Sequence, residues 1–298
     1  MAEDEQFLYV DEHLRLLIGE DAARALHERS DAPFLREGEG VARVPRERWQ
    51  EAQRYERDTW IMGGAESTDD RNADHLEGFA GYASLRGRTF AHAIELGCGP
   101  FTNLRMIAQH CTIAECTLLD PLILDYLKHR HCTYDEHHLR AGETPLSRFL
   151  GRTLPGRAAR RVLRAVAPGS LVQRIPVREL IASPIEEMPP RGPFDLVVII
   201  NVLEHCYDAA RILERIGRIL APGGLLVFHD KLFAAGEIER DVATRFDAGH
   251  PLRVDRRLIE EFLERDFDAL YRRGTVVPDG VGDIDLSRDG IYFIGARR

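Results

Sequence analysis

No apolar run in this 298-residue chain approaches the roughly 18 residues that a membrane-spanning helix needs. The opening residues, MAEDEQFLYVDEHL, are acidic and lack the basic-then-apolar order of a secretory leader. Positive charge is in deficit. Forty Lys and Arg against 49 Asp and Glu give a net charge of −9 with histidines neutral, a poor basis for non-specific nucleic-acid binding. Cysteine is scarce and odd in number: Cys98, Cys111, Cys116, Cys132 and Cys206. That count predicts reduced thiols in a cytoplasmic protein, not a disulfide framework. Internal repeats and low-complexity tracts are absent. What is present is an ordinary globular mixture, 44% apolar and 30% charged, with enough chain to bury a sizeable core.

Two textures divide the chain. Residues 1–86 read as helical and predict an N-terminal cap or lid. Leu14, Leu16, Leu17, Ala22, Ala25 and Leu26 recur near helical spacing. Further helices are expected over 47–60 and 70–85, with breaks at Ala32-Pro33, Val44-Pro45 and Gly63-Gly64. Residues 87–298 alternate short apolar runs with helical stretches. The runs AHAIEL, CTLLD, VRELIAS, FDLVVIIN, GLLVFHD, FDALYRR and IYFIGA suit strands buried on both faces of a sheet. Strand–helix alternation implies a doubly wound α/β domain with a mostly parallel, seven-stranded sheet. Helices are expected over 121–131, 208–220 and 255–264. The connection over 121–177 is too long for a simple crossover and reads as an insertion. It carries an arginine stripe (Arg157, Arg160, Arg161, Arg164) opposite an apolar one (Ala159, Val162, Leu163, Val166). A solvated face, a clamp for an anionic group and a membrane-surface helix all fit that stripe.

The chemistry is signalled most strongly by AIELGCGPFTNLRMI, residues 93–107. An apolar strand ends in Glu95, Gly97 and Gly99 follow in a tight turn around Cys98, and a helix opens near Thr102. Such glycines let backbone approach a ligand closely, and the helix start offers free N–H groups. Thr102 stands where a dinucleotide fingerprint needs its third glycine, and no Gly-Lys-Ser/Thr follows. The second strand ends at Asp120, 21 residues after Gly99, where a doubly wound fold places a ribose-binding acid. An N-cap for the helix starting at Pro121 is the plainer reading of the same residue.

With the fourth run, FDLVVIINVLEHCYD, and the LAPGGLLVFHD entry to the fifth, the chain resembles the class I S-adenosylmethionine-dependent methyltransferases. The matching features are Glu95, Gly97 and Gly99, the acid Asp120, the Phe194-to-His205 pattern ending V-L-E-H, and Leu220 to Gly224. They occur in family order over residues 90–298. V-L-E-H looks most like the quinone and natural-product branch. The resemblance implies a Rossmann-like methyltransferase fold and S-adenosylmethionine as cofactor. It implies that Glu95–Gly99 holds the amino-acid end, that Asp120 with Pro121 beside it meets the ribose, that Ser183 meets the adenine, and that Asn201 and Val202 flank the methyl donor. Phe101 and Ser183 depart from the family pattern, which usually has Gly and Asp there; Glu186 could substitute for the latter.

A sulfonium methyl is already electrophilic, so alignment supplies much of the rate. A base is needed only for a protonated nucleophile such as a hydroxyl. His205 and His229 follow strand ends and are the candidate bases, with Asp230 and His250 behind them. Trp60, ahead of Gly63-Gly64, suits a lid, and Arg71 and Asn72 could reach cofactor or substrate. His129, His131, Cys132, His137 and His138 match no zinc spacing, and no metal is expected. The expected function is methyl transfer to oxygen or nitrogen of a small acceptor, anionic if the arginine stripe is a clamp, without nucleic-acid or membrane partners. Methylation of RNA or protein and a non-catalytic cofactor-binding module remain the alternatives; the acceptor atom and the oligomeric state stay open.

Overall fold

The computed structural model describes residues 43–63, 80–129, 131–140, 173–233, 238, 246–276 and 289–298. The expected helix at 14–26, most of that at 70–85, Arg71 and Asn72, and the arginine stripe at 157–164 lie outside the described residues. Among the described residues eight strands form one mixed sheet: β1 Thr89–Leu96, β2 Thr112–Leu119, β3 His138–Leu139, β4 Gln173–Ile181, β5 Phe194–Ile200, β6 Leu220–Lys231, β7 Phe267–Val276 and β8 Asp289–Arg297. Their order is β3-β4-β2-β1-β5-β6-β8-β7. The five central strands run parallel, whereas β3, β7 and β8 pair antiparallel with their neighbours. The sheet thus exceeds the expected seven strands by β3, a two-residue edge strand from within the 121–177 segment.

Continuous apolar runs are explained by burial on both faces. Ile94, Leu96, Val197, Ile199, Leu226 and Phe228 point to one side, where they meet Ile212, Leu213 and Ile216 of helix α4 (Ala209–Ile219) and Ile259, Phe262 and Leu263 of α5 (Arg256–Asp266). The alternate residues Ala93, Leu118, Val198, Ile200 and Val227 meet Leu104 and Ile107 of α2 (Leu104–Ile107) on the other side. This is period-two alternation with both faces covered. Asp208 and Asp255 cap α4 and α5 by accepting from the backbone N–H of Arg211 and Arg257.

Helix α1 (Arg46–Asp58) continues as a π-helical turn over Thr59–Gly63. The expected long helix after Pro121 is instead a single turn, α3 (Ile123–Tyr126). The reason is local. The chain turns back so that Thr133 N donates to Pro100 O (2.9 Å), Thr133 Oγ1 accepts from Thr102 N (2.9 Å) and Tyr134 Oη donates to Gly99 O (2.9 Å). A continued helix would carry these residues away from the loop they brace. Of the expected helix at 70–85 the described part is a 3-10 turn, Ala80–Leu85. All five cysteines are free thiols. Among the described residues no helix is long and apolar enough to cross a membrane.

Candidate active site

A cavity opens over the carboxyl ends of β1, β2 and β5, where the strand order reverses between β1 and β5. Open α/β sheets place their ligands at this switch point. Its floor is the turn Gly97–Phe101. Gly97 has φ +71°, and a Cβ there would sit 2.5 Å from the Val202 side chain. Gly99 has φ +52°, and its N–H donates to Asp120 Oδ2 (3.0 Å). Glycine is therefore required at Gly97 twice over, by dihedral and by space.

Asp120 accepts from Gly99 N through one oxygen and from Leu122 N through the other (2.8 Å), which fixes its carboxylate at the cavity wall beside Pro121. Each oxygen keeps a second acceptor position for a ligand hydroxyl. Burial raises its pKa to about 6, against the two backbone bonds that lower it. Cys98 also lines the cavity, its thiol pushed up by burial and placed 3.6 Å from Tyr134 Oη.

Glu95 requires a correction. It does not line the cavity. Its carboxylate is buried beneath the turn and accepts from Thr102 Oγ1, Asn103 N (2.9 Å), Asn103 Nδ2 (3.0 Å) and Leu104 N (3.4 Å). It is the anchor of the loop and of the start of α2. Ser183 is the second correction. Its Oγ donates to Pro184 O (3.1 Å), and the cavity wall begins one residue later with Pro184, Ile185 and Glu186. Glu186 is fully buried. Its Oε1 accepts from Tyr207 N (2.7 Å) and Asp208 N (3.1 Å), while Oε2 has no hydrogen-bond partner.

Opposite the glycine turn, Asn201 adopts φ +57° and lines the cavity with Val202 and His205. Asp230 holds this turn from behind, accepting from Val202 N (2.9 Å) and Leu203 N (2.7 Å). His229 is the third correction. It lies within β6, away from the cavity, with Nδ1 3.2 Å from Ile291 O and its ring stacked on Tyr292 at 3.9 Å. It belongs to the sheet's packing.

Helix α1 supplies the remaining wall. Trp49, Gln53, Glu56 and Trp60 all line the cavity. Their spacing of four, three and four residues puts them on one helical face, a periodicity visible in the sequence beyond Trp60 alone. Trp49 Nε1 and Gln53 Nε2 both donate to His205 O (3.1 Å each). Trp60 Nε1 donates to Glu56 Oε2 (3.0 Å), and its ring meets Phe101 edge-on at 5.6 Å. On the far side Phe101 meets His129 edge-on, so His129 packs in an aromatic cluster.

The His205 ring sits in a charged cluster. Nδ1 is 3.5 Å from Glu56 Oε1 and Nε2 is 3.9 Å from Glu204 Oε1. Nδ1 itself is buried without a hydrogen-bond partner. The His250 ring lies 4.5 Å away, its Nδ1 2.9 Å from Asp247 Oδ1 and its Nε2 3.7 Å from Glu204 Oε1. Lys231 Nζ donates to Glu204 Oε1 (3.1 Å). Burial lowers the His205 pKa, outweighing the attraction of Glu56. Burial also opposes charge on His250, yet Asp247 and Glu204 raise it to about 9. Burial works against the Glu204 charge, but His250, Lys231 and His205 hold its carboxyl below the usual range.

Residues 69–271, more than half of the chain, match the family described as a methyltransferase domain. The chain belongs to that family. The methyl donor of these enzymes is S-adenosylmethionine. The chain is 49% identical over 43 residues to a ubiquinone biosynthesis O-methyltransferase of Bradyrhizobium sp. (strain ORS 278), and 44% identical over 43 residues to one of Rhodopseudomonas palustris (strain BisB18). The match covers 14% of this chain and 17% of each relative. The fold is similar to that of the N-methyltransferase NodS from Bradyrhizobium japonicum WM9, solved with S-adenosyl-L-homocysteine. That likeness has a TM-score of 0.50 and 16% identity, and covers 84% of this chain and 98% of the other. The methyltransferase domain thus sits on the sheet expected for it, with the cavity at its switch point and α1 as a wall.

Proposed function

We propose that the protein transfers a methyl group from S-adenosylmethionine to a hydroxyl of a small, quinone- or natural-product-like molecule. The observation that carries this reading is the two-sided cavity. One side is the glycine turn with Asp120 and Asn201; the other is α1 with His205. The first side fits the cofactor. Gly99 leaves room for close approach, Asp120 keeps acceptor positions for ribose hydroxyls, and the unpartnered Glu186 Oε2 offers an acceptor for an adenine amine in place of the Asp that Ser183 replaces. The bound cofactor supplies an electrophilic sulfonium methyl.

The second side is the acceptor's. Trp49 and Trp60 give apolar area for a flat ring, and their covering helix favours a small molecule over RNA or protein, which need an open cleft. His205 is assigned to activating the acceptor oxygen, since a hydroxyl must lose its proton as it becomes a nucleophile. The resemblance to ubiquinone biosynthesis O-methyltransferases supports oxygen as the atom and a phenolic ring as the class. Label from methyl-labelled S-adenosylmethionine should pass to a hydroxyl in a panel of catechols and phenols, with S-adenosyl-L-homocysteine released. Failure of the chain to bind S-adenosyl-L-homocysteine in calorimetry would overturn the reading. Binding with no transfer to any panel member would favour a non-catalytic binding module.

Asp120→Asn tests the cofactor half. The amide keeps a carbonyl for one backbone donor but loses the charge. With about 1.5–3 kcal/mol per charge-assisted bond, S-adenosyl-L-homocysteine should bind at least roughly tenfold more weakly. The wild type carries its own control. Its Asp120 pKa of about 6 means the charged acceptor disappears as pH falls through 6, so affinity should decline below pH 6 and level off above it. In Asp120→Asn this dependence should be absent. Equal affinities in the two proteins would remove Asp120 from the site.

A further inference from the structure

We propose that Glu56, His205 and His250 form a divalent transition-metal site that opens onto the acceptor side of the cavity. The inference rests on the hydroxyl-acceptor reading above and names how His205 would activate the oxygen. One ligand atom from each of the three residues lies within 4.8 Å of the others, the single such group among the described residues. The three come from separate segments: α1, the turn after β5, and the loop before α5. A cation there would tie the covering helix to the sheet.

The surroundings prepare each donor. Trp60 Nε1 occupies Glu56 Oε2, leaving Oε1 toward His205. His205 Nδ1 is buried next to that oxygen with no hydrogen-bond partner, while Nε2 faces Glu204. His250 Nδ1 contacts Asp247, and Nε2 is turned toward Glu204 Oε1 at 3.7 Å, beyond hydrogen-bond distance. The carboxylate of Asp247 on His250 Nδ1 is the outer arrangement that orients a metal-ligating histidine. Glu56 and Glu204, with Asp247 behind His250, bring carboxylates to the cluster beside Lys231. Two imidazoles and one carboxylate, with positions left open, suit manganese, iron or zinc better than the all-oxygen shell of magnesium or calcium.

Because Glu56 and His205 both line the cavity, the open positions face an acceptor. A hydroxyl oxygen bound there would lose its proton to solvent at lower pH than in free solution, becoming an oxyanion before the carbon–oxygen bond forms and the carbon–sulfur bond breaks. A second oxygen on the neighbouring ring carbon would complete a chelate, which selects catechol-like acceptors over isolated phenols.

The test uses the full chain stripped with a chelator and titrated with MnCl2, free Mn2+ being read by paramagnetic resonance. One Mn2+ per chain is expected, with MgCl2 a weak competitor and a higher melting temperature in the loaded protein. Glu56→Gln retains an acceptor for Trp60, and His250→Gln retains polarity; each should weaken Mn2+ at least roughly tenfold. No bound Mn2+, or unchanged affinity in both variants, would overturn the site and leave His250 as a protonated partner of Glu204 and Asp247. S-adenosyl-L-homocysteine titrated into the same samples separates the two readings. Its binding without Mn2+ keeps the methyltransferase and removes the cation, and Mn2+ binding without it does the reverse.

Discussion

His205→Ala is expected to bind S-adenosyl-L-homocysteine as tightly as the parent and to lose at least about a hundredfold in turnover. The two halves of that expectation come from different atoms. The main chain of His205 is held independently of its ring, since its carbonyl accepts from Trp49 Nε1 and Gln53 Nε2 and its N–H donates to Val202 O (3.0 Å). The turn that carries Asn201 and Val202 is held in addition by Asp230. Truncation therefore removes the imidazole without releasing the wall against the cofactor. What is lost is the ring assigned to activating the acceptor hydroxyl, a step worth about 10²–10⁴ in rate. The loss should fall on kcat, with KM for the cofactor unchanged. A decline of less than about fivefold would mean that the acceptor arrives already nucleophilic, as a nitrogen, sulfur or carbon centre, and that alignment alone is sufficient. His229→Ala is the companion measurement: its ring packs on Tyr292 away from the cavity, so stability should change and chemistry should not.

The central sheet was legible because burial on both faces writes itself as uninterrupted apolar runs, and FDLVVII at β5 is such a run. The glycine turn was legible because positive φ and contact with Val202 leave one residue type at Gly97. Individual roles were less so. Glu95 and Asp120 both end strands in an acid, and sequence offers no way to tell which carboxylate turns inward to hold backbone and which faces the ligand. His205 and His229 likewise both close apolar strands. The last half-turn of backbone decides, sending one ring into the cavity and the other onto Tyr292. The expected helix after Pro121 failed for a tertiary reason, since Thr133 and Tyr134 are needed at the glycine turn. The proposed cation site could not be read from the sequence. His129 to His138 are close in sequence, whereas Glu56, His205 and His250 are brought together by three elements and share no local pattern.

Glu95→Ala should lose both stability and cofactor binding, and this separates an anchor from a ligand contact. The carboxylate accepts from Thr102 Oγ1, Asn103 N, Asn103 Nδ2 and Leu104 N, all buried with it. Alanine removes the acceptor shared by Thr102 Oγ1, Asn103 N and Asn103 Nδ2, while Leu104 N keeps Thr102 Oγ1 (3.2 Å). At about 1–3 kcal/mol for each unsatisfied group, and with some relaxation, a loss of at least about 3 kcal/mol in urea unfolding is expected. That is a large part of an ordinary domain's stability. The start of α2 and the Gly97–Phe101 turn would lose their common tether, so S-adenosyl-L-homocysteine binding should fall with it. Asp120→Asn, which gives up one backbone acceptor, should lose less in unfolding than Glu95→Ala while weakening binding, and the contrast assigns the two acids their roles. The pH dependence gives a second check. Burial raises the Glu95 pKa to about 7, although the bonds from Thr102, Asn103 and Leu104 pull it down. The folded state then binds a proton that the unfolded chain, with its glutamate near 4.5, has already released. Glu95 therefore makes the protein less stable as pH rises from about 4.5 to 7 and contributes no further slope above that. Asp120 and Asp230, also raised by burial, tilt the wild-type curve the same way. Glu95→Gln keeps the shape but cannot titrate, so its stability measured against pH should be flatter than the wild type between 4.5 and 7. Parallel curves for the two proteins would show that Glu95 is not the buried, proton-binding anchor described here.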